Sequence, residues 1–161
     1  MSWCRSTFLF ATLLLTGCGF QLRGDVDFPP GISSVYIDTS YRHSPFYREL
    51  TTTIRDSDLK LETAPEKADM VIKVLTDDTG RRPLTVSARN VPREYEIYYL
   101  VSYSVSIDDR EVLSQQRLVL TRDYTYDETK VLGKAREEDV LRESIAADLV
   151  GLLVHQVSAI P

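Results

Sequence analysis

The sequence has few of the residues on which enzymes and disulfide-rich domains depend. Its 161 residues include two cysteines, two histidines and one tryptophan. His43 and His155 are far apart in the chain, and no cluster has the spacing of metal ligands. No serine stands in a G-x-S-x-G nucleophile elbow, and no glycine-rich phosphate loop is present. We therefore predict a protein that is not an enzyme and needs no cofactor.

Long apolar runs are also missing, because no segment reaches the ~20 residues that a membrane-spanning helix requires. The shorter run at residues 8–15 follows Arg5, the only charge before Cys18, and matches the hydrophobic region of a signal peptide. Residues 15–18, LTGC, replace the usual small-residue cleavage site and resemble the bacterial lipobox. The other interpretation, a buried core strand, leaves the position, the arginine and the lipobox unexplained.

This processing accounts for the shortage of cysteine. Cys4 leaves with the signal peptide and Cys18 carries acyl chains, so no disulfide is possible within the mature chain. Gly19 stands where an aspartate would retain such a lipoprotein at the inner membrane, which favours the outer membrane. We predict a lipoprotein signal peptide at residues 1–17, a lipidated N-terminus and tether at residues 18–31, and one domain at residues 32–161.

Positive charge is the scarcer sign, since the formal net charge is −5 and Arg5 is lost with the signal peptide. Such a chain binds nucleic acid and anionic surfaces poorly, so any anion site must be a local basic patch. Two basic groups stand out, and their members are Arg81, Arg82, Arg89 and Arg93 in one segment, and Lys130, Lys134 and Arg136 further on. They are either ordinary solvated charges or a phosphate site in which guanidinium forks bind bidentately.

Periodicity predicts the first helix and most of the sheet. Ser44 suits a helix N-cap before Pro45, and Phe46, Leu50 and Ile54 then recur on one helix face. Strands are predicted at residues 34–38, 69–76, 95–107 and 111–126, with a turn at residues 108–110. Residues 77–92 are either a loop or an extended, irregular edge.

The chain ends in a predicted helix over residues 134–157. Its acidic residues at 137–139 are placed in a solvated first turn, where acids complement the helix dipole. Leu141, Ile145, Leu149 and Leu152 form the apolar stripe. The order β-α-β-β-β-α predicts an α+β two-layer sandwich, in which two helices pack on one face of a four-stranded mixed sheet. The other face is expected to be more polar and open to water or to a partner.

A family resemblance adds to this description. The sequence CGFQLR at residues 18–23 resembles the opening motif of the LPS-assembly lipoprotein family LptE. The resemblance continues through the strand at residues 35–38, the ARN stretch at residues 88–90 before a Tyr-Glu strand, and GK at residues 133–134 before an acidic helix start. It covers nearly the whole mature chain, because these matches occur in the right order.

The resemblance implies a function and partners. Members of this family pair one-to-one with the outer-membrane β-barrel LptD, plug its lumen, help it assemble and bind lipopolysaccharide. By position, Arg89 and Lys134 correspond to the two basic residues that support lipopolysaccharide binding, and Arg81, Arg82 and Arg93 belong to the same basic groups. The implied location is the periplasmic side of the outer membrane, reached through the lipid anchor, and the barrel lumen.

Two alternatives stay open from the residues alone. One is a lipid-anchored enzyme that acts on envelope material, which would require polar residues converging in a cleft. The other is an adaptor lipoprotein of a different transporter. Identification of the protein that co-purifies with the lipidated chain separates the three hypotheses.

We predict that Cys18→Ala abolishes both acylation and cleavage at this site, because the thiol is the group that is acylated. Mass spectrometry of the mature protein from membranes measures the N-terminus and its modification. A parent chain with an unmodified N-terminus other than Cys18 would contradict the prediction.

Overall fold

A computed structural model of the protein describes residues 28–88, 92–126 and 131–160. Cys18, Arg89 and Lys130 lie outside these ranges. Within them the elements are β1 (Ser34–Asp38), α1 (Pro45–Asp56), β2 (Lys60–Leu61), a 3-10 turn (Pro65–Lys67), β3 (Met70–Val86), β4 (Pro92–Ile107), β5 (Arg110–Thr125) and α2 (Val131–Ser158). No helix in these ranges is both long enough and apolar enough to cross a bilayer.

The strands form one mixed sheet in the order β2-β1-β3-β4-β5, and both helices pack against it. The predicted α+β architecture is confirmed, but the predicted count of four strands is one too low. The missed strand, β2, has two residues and pairs in parallel with β1 through Ser34↔Lys60 and Val35↔Leu61. A pair of residues is too short to show the alternation by which strands are recognised in a sequence.

Helix α1 begins and faces the sheet as predicted. The Ser44 Oγ accepts a hydrogen bond from the Tyr47 backbone N–H at 3.0 Å, and a proline follows the cap. Phe46, Leu50 and Ile54 are fully buried. Their four-residue spacing therefore reflects one face of the helix against the core.

Strands β3, β4 and β5 form an unusually long antiparallel meander. They contain 17, 16 and 16 residues, which is about 50 Å at 3.3 Å per residue. Asp108 and Asp109 make a two-residue turn with φ of 49° and 59°, the left-handed conformation that suits such hairpins. Residues 77–86 continue β3 with register shifts, and β1 pairs with β3 only as far as Lys73. The extended, irregular edge is thus the correct alternative for this part of the segment.

The predicted alternation in β4 is confirmed. Ile97, Tyr99, Val101, Tyr103 and Val105 are fully buried on the face that the helices cover. The intervening residues lie on the opposite, uncovered face of the sheet.

The uncovered face is largely polar, with one close contact that explains a tyrosine. Tyr98 pairs with Gly80 across the strands, and a Cβ on that glycine would lie 2.5 Å from the tyrosine Oη. The Tyr98 ring therefore packs over Gly80, and a larger residue at position 80 would have to displace the ring. Nearby, the Ser102 Oγ is buried and has no hydrogen-bond partner among the described residues.

Helix α2 differs from its prediction in its first residue and in the last residue of its apolar stripe. It begins at Val131, so residues 137–139 lie beyond the first turn. Ile145 and Leu149 are buried as predicted, but Leu152 is 41% exposed and Leu153 is buried in its place. The buried face continues in steps of four residues after Leu149, which turns Leu152 toward solvent. The helix is about 42 Å long at 1.5 Å per residue, since it contains 28 residues.

A buried hydroxyl joins the start of α1 to the sheet. The Tyr99 Oη donates to the Asp77 Oδ1 at 2.8 Å and accepts from the Phe46 backbone N–H at 3.1 Å. The Ser44 hydroxyl donates to the other oxygen of the same carboxylate. Burial is the main influence and raises the pKa of Asp77, while these two hydroxyl donors oppose it. The Tyr99 hydroxyl thus provides a hydrogen-bond partner both to a backbone N–H at the start of α1 and to the Asp77 carboxylate.

We predict that Tyr99→Phe lowers the free energy of unfolding by about 1–3 kcal/mol, because it leaves the buried Phe46 N–H without its partner and removes one of the two hydroxyl donors to Asp77. The matched control is Tyr103→Phe, since the Tyr103 Oη donates only to Gln156, which is partly exposed and can bind water instead. Urea unfolding of both variants provides the comparison. A loss in Tyr99→Phe no larger than in the control would contradict the prediction.

Candidate functional site

The structure places the described basic residues in different environments. Arg81 and Arg82 are consecutive on β3, so their side chains lie on opposite faces of the sheet. Arg82 is on the uncovered face, where its guanidinium lies 2.6 Å from the Glu96 carboxylate on β4. Arg81 pairs in register with buried Ile97, which puts it on the face that α2 covers. The predicted group is therefore divided between the two faces.

Glu138 on α2 is the centre of the contacts around Arg81. It is only 6% exposed, and its carboxylate accepts hydrogen bonds from the Arg81 guanidinium and the Tyr124 hydroxyl. A third bond comes from the Arg142 Nη2 at 3.1 Å. Burial acts to raise the pKa of Glu138, but these hydrogen bonds and the charge of Arg81 outweigh it, so the pKa is lowered. The carboxylate is thus ionised at neutral pH.

Three tyrosines surround this ion pair, and we call Tyr95, Tyr124 and Tyr126 the tyrosine cluster. Tyr95 stacks on Tyr124 with ring centroids 5.8 Å apart and meets Tyr126 edge-on at 5.4 Å. The Arg81 Cζ lies 4.9 Å from the Tyr95 centroid. Burial, together with the bond to Glu138, raises the pKa of Tyr124 to about 12. Its hydroxyl consequently remains a donor at neutral pH.

Lys134 lies at the edge of the tyrosine cluster. Its Nζ is 5.8 Å from the Tyr124 ring centroid and 2.6 Å from the Glu137 carboxylate. Its side chain is only 16% exposed, whereas that of Glu137 is 45% exposed. Lys134 lies within α2 and not at its first residue, because the helix begins at Val131. The lysine is therefore held in place on the helix surface.

Arg93 and Arg136 are the cations near this end of the sheet that lack an ion-pair partner within the described ranges. Both are exposed. The Arg93 carbonyl accepts from the Tyr126 backbone N–H at 2.8 Å, so this arginine stands beside the tyrosine cluster. A cation without a carboxylate partner is free to bind a phosphate from outside.

A groove between the helices contains none of these cations. It is about 1230 Å³ in volume, and its polar walls carry carboxylates from α1 and the loop after it, Glu49, Asp56 and Asp58. Acidic walls disfavour an anion, so the groove does not compete as a phosphate site. Among the described residues, no group of three or more histidine, cysteine, aspartate or glutamate side chains is arranged to bind a metal.

The prediction that Glu138 lies in a solvated first turn is wrong, because this side chain is buried within α2. The signal was present, because Glu138 precedes Leu141 by three residues and Ile145 by seven. That spacing puts the glutamate in line with the apolar stripe of α2. A charged residue in such a position requires buried partners, and Arg142 at i+4 is the one visible in the sequence.

Comparisons with known proteins agree on one family. A family model described as LptE, lipopolysaccharide-assembly, matches residues 32–157. The LPS-assembly lipoprotein LptE of Yersinia enterocolitica is 23% identical over 148 residues, covering 91% of this chain and 71% of the relative. That of Pectobacterium atrosepticum is 23% identical over 151 residues, covering 93% of this chain and 82% of the relative.

Solved structures share the fold. The solution structure of an uncharacterized lipoprotein B from Nitrosomonas europaea has a TM-score of 0.71 and 30% identity, covering 88% of this chain and 91% of that one. The crystal structure of the rare lipoprotein B from Shewanella oneidensis has a TM-score of 0.66 and 21% identity, covering 77% of this chain and 92% of that one. The family match spans every described element from β1 to α2, so it includes the tyrosine cluster and Glu138.

Proposed function

The chain belongs to the lipopolysaccharide-assembly family LptE, and from that premise we propose that it is a lipid-anchored component of lipopolysaccharide export at the outer membrane. The family match over residues 32–157 is the observation that carries this proposal. In the proposed role the chain binds the β-barrel LptD one-to-one, plugs its lumen and contacts lipopolysaccharide. These roles require binding surfaces and no catalytic centre.

The shape of the domain supports the barrel partner. Its long strands and α2 make a two-layer body about 40–50 Å long, and wide outer-membrane barrels hold plugs in their lumens. Barrel lumens are lined by polar residues, as is much of the uncovered face of the sheet.

Lipid A phosphates are the proposed anion. Lys134 is the described residue best placed for them, because its ammonium group is held at the surface by an exposed carboxylate and an aromatic ring. Arg93 is exposed and lacks an ion-pair partner in the described part of the chain, so it is a second contact in the proposal. Arg89 stays a prediction from the family resemblance. Arg81 and Arg82 already have carboxylate partners, which makes them weaker candidates.

We predict that the lipidated protein purified from outer membranes in mild detergent retains a large β-barrel protein. The uncovered polar face and the long, narrow body are the physical reasons. Size-exclusion chromatography and mass spectrometry of the complex give the partner and the stoichiometry. Recovery of free monomer alone would refute the proposal, and recovery of another transporter would favour an adaptor lipoprotein.

We also predict that Arg89→Asp combined with Lys134→Asp weakens lipopolysaccharide binding more than tenfold, since charge-assisted contacts contribute roughly 1.5–3 kcal/mol each. Binding is measured on the full-length protein at several salt concentrations. Arg48→Asp combined with Arg55→Asp is the matched control, because it makes the same charge change on exposed residues of α1.

The control separates a local site from a general effect of charge. We expect its affinity to stay within about twofold of the parent, because its arginines are on another element. Equal losses of lipopolysaccharide affinity in the two double variants would show that binding depends on the net charge of the protein and not on a local site. Thermal melts accompany both, and an unfolded Lys134 variant would show that the lysine is structural.

A further inference from the structure

We propose that Glu138 is a positioning residue for lipopolysaccharide binding, because it fixes the ring and the helix turn that hold Lys134 in place. The inference rests on the proposed function, since a fixed lysine matters only if the domain binds a phosphate there. Glu138 itself contacts no ligand in this proposal, as it is buried beneath the site.

The contacts of Glu138 connect three elements. Arg81 is on β3, Tyr124 is on β5, and Glu138 and Arg142 are on α2. A buried carboxylate is tolerated only when donors compensate its charge, so all three donors constrain where it lies. The early turns of α2 are therefore fixed to the sheet at this point.

Lys134 depends on two of these constraints. It precedes Glu138 by four residues, which places both side chains on the same side of α2. Its ammonium group faces the ring of Tyr124, whose hydroxyl donates to Glu138. Because the ring is fixed by Glu138 at its hydroxyl and by Tyr95 at its face, it offers the lysine a stationary surface.

Glu138 has a second possible role, which is to neutralise Arg81 and keep it from phosphate. The geometry favours positioning, because Arg81 also lies over the Tyr95 ring and within 3.4 Å of the Tyr124 hydroxyl. Those contacts keep the guanidinium on the covered face of the sheet when the carboxylate charge is removed. The two roles predict opposite effects of Glu138→Gln on affinity, so they are experimentally separable.

The test is a double-mutant cycle between Glu138→Gln and Lys134→Met, measured as affinity for purified lipopolysaccharide with the full-length protein. A dephosphorylated preparation of the same lipopolysaccharide reports the phosphate-dependent part. We expect Lys134→Met to weaken binding about tenfold, because it removes one charge-assisted contact. We expect Glu138→Gln to weaken binding about threefold or more, because it disturbs the geometry of that contact. The double variant should bind no more weakly than Lys134→Met alone.

Two further variants make the cycle specific. Glu143→Gln removes the same charge from an exposed position of α2, where the Arg48 guanidinium is 3.7 Å away, and should leave affinity unchanged. Tyr124→Phe keeps every charge and the ring, and removes the hydroxyl that Glu138 binds. It should weaken binding in the parent and have no further effect beside Lys134→Met. Thermal melts are recorded for each variant. If Glu138→Gln does not fold, Tyr124→Phe replaces it in the double-mutant cycle with Lys134→Met.

Three results would overturn the inference. Tighter binding by Glu138→Gln would assign this residue to neutralising Arg81. Independent losses that add in the double variant would show that Glu138 does not act through Lys134. Both results leave the proposed function intact. If Lys134→Met binds like the parent, the proposed phosphate contact at Lys134 fails, and the positioning role fails with it.

Discussion

The ionised carboxylate of Glu138 constrains the whole end of the domain where α2 begins. The apolar core occupies the other end, where β1, α1 and the middle of α2 meet β3 and β4. Beyond Ile97, the residues facing α2 are tyrosines and arginines instead of aliphatic side chains. The helix is therefore attached there by an ion pair and by rings, through the contacts of Glu138 with Arg81 and Tyr124. Such contacts fix geometry more sharply than they stabilise the fold.

Half-buried Asp77 and buried Glu138 are two carboxylates whose surroundings have opposite effects on the pKa. Asp77 receives hydroxyl donors only, and burial prevails, so its pKa is raised. Glu138 receives two guanidinium groups and a hydroxyl, and its pKa is lowered. Asp77 lies beside the start of α1 within the apolar half, where a neutral acid is tolerated. Glu138 lies among cations, where only the ionised form satisfies its partners, so its carboxylate stays charged near neutral pH.

The sequence predicted those elements that have a period. The alternation of residues 95–107 and the four-residue spacing of Phe46, Leu50 and Ile54 each place a buried face correctly. Strand β2 was missed because two residues have no period. Residues 77–86 stayed ambiguous because Gly80, Pro83 and the register shifts interrupt the alternation of a regular strand. The role of Glu138 was missed because a glutamate on a helix is usually solvated, and its main partners, Arg81 and Tyr124, are 57 and 14 residues away. Cross-strand and helix-to-sheet contacts of this kind depend on tertiary structure.

The pairing of Lys134 with an exposed carboxylate suits a protein that passes its ligand on. Ion pairs with an exposed partner contribute little to stability, so in the proposed function a phosphate would compete with the 45% exposed Glu137 carboxylate for the lysine. In that proposal the displaced carboxylate would turn to water and remain one helix turn away from the lysine, where it could compete again when the phosphate leaves. Because the Lys134 Nζ lies over the Tyr124 ring, 5.8 Å from its centroid, the lysine would not have to be ordered anew for each ligand. In the proposed function, a site in which the cation is fixed and its partner is exchangeable would bind lipid A without retaining it, as export through a barrel would require.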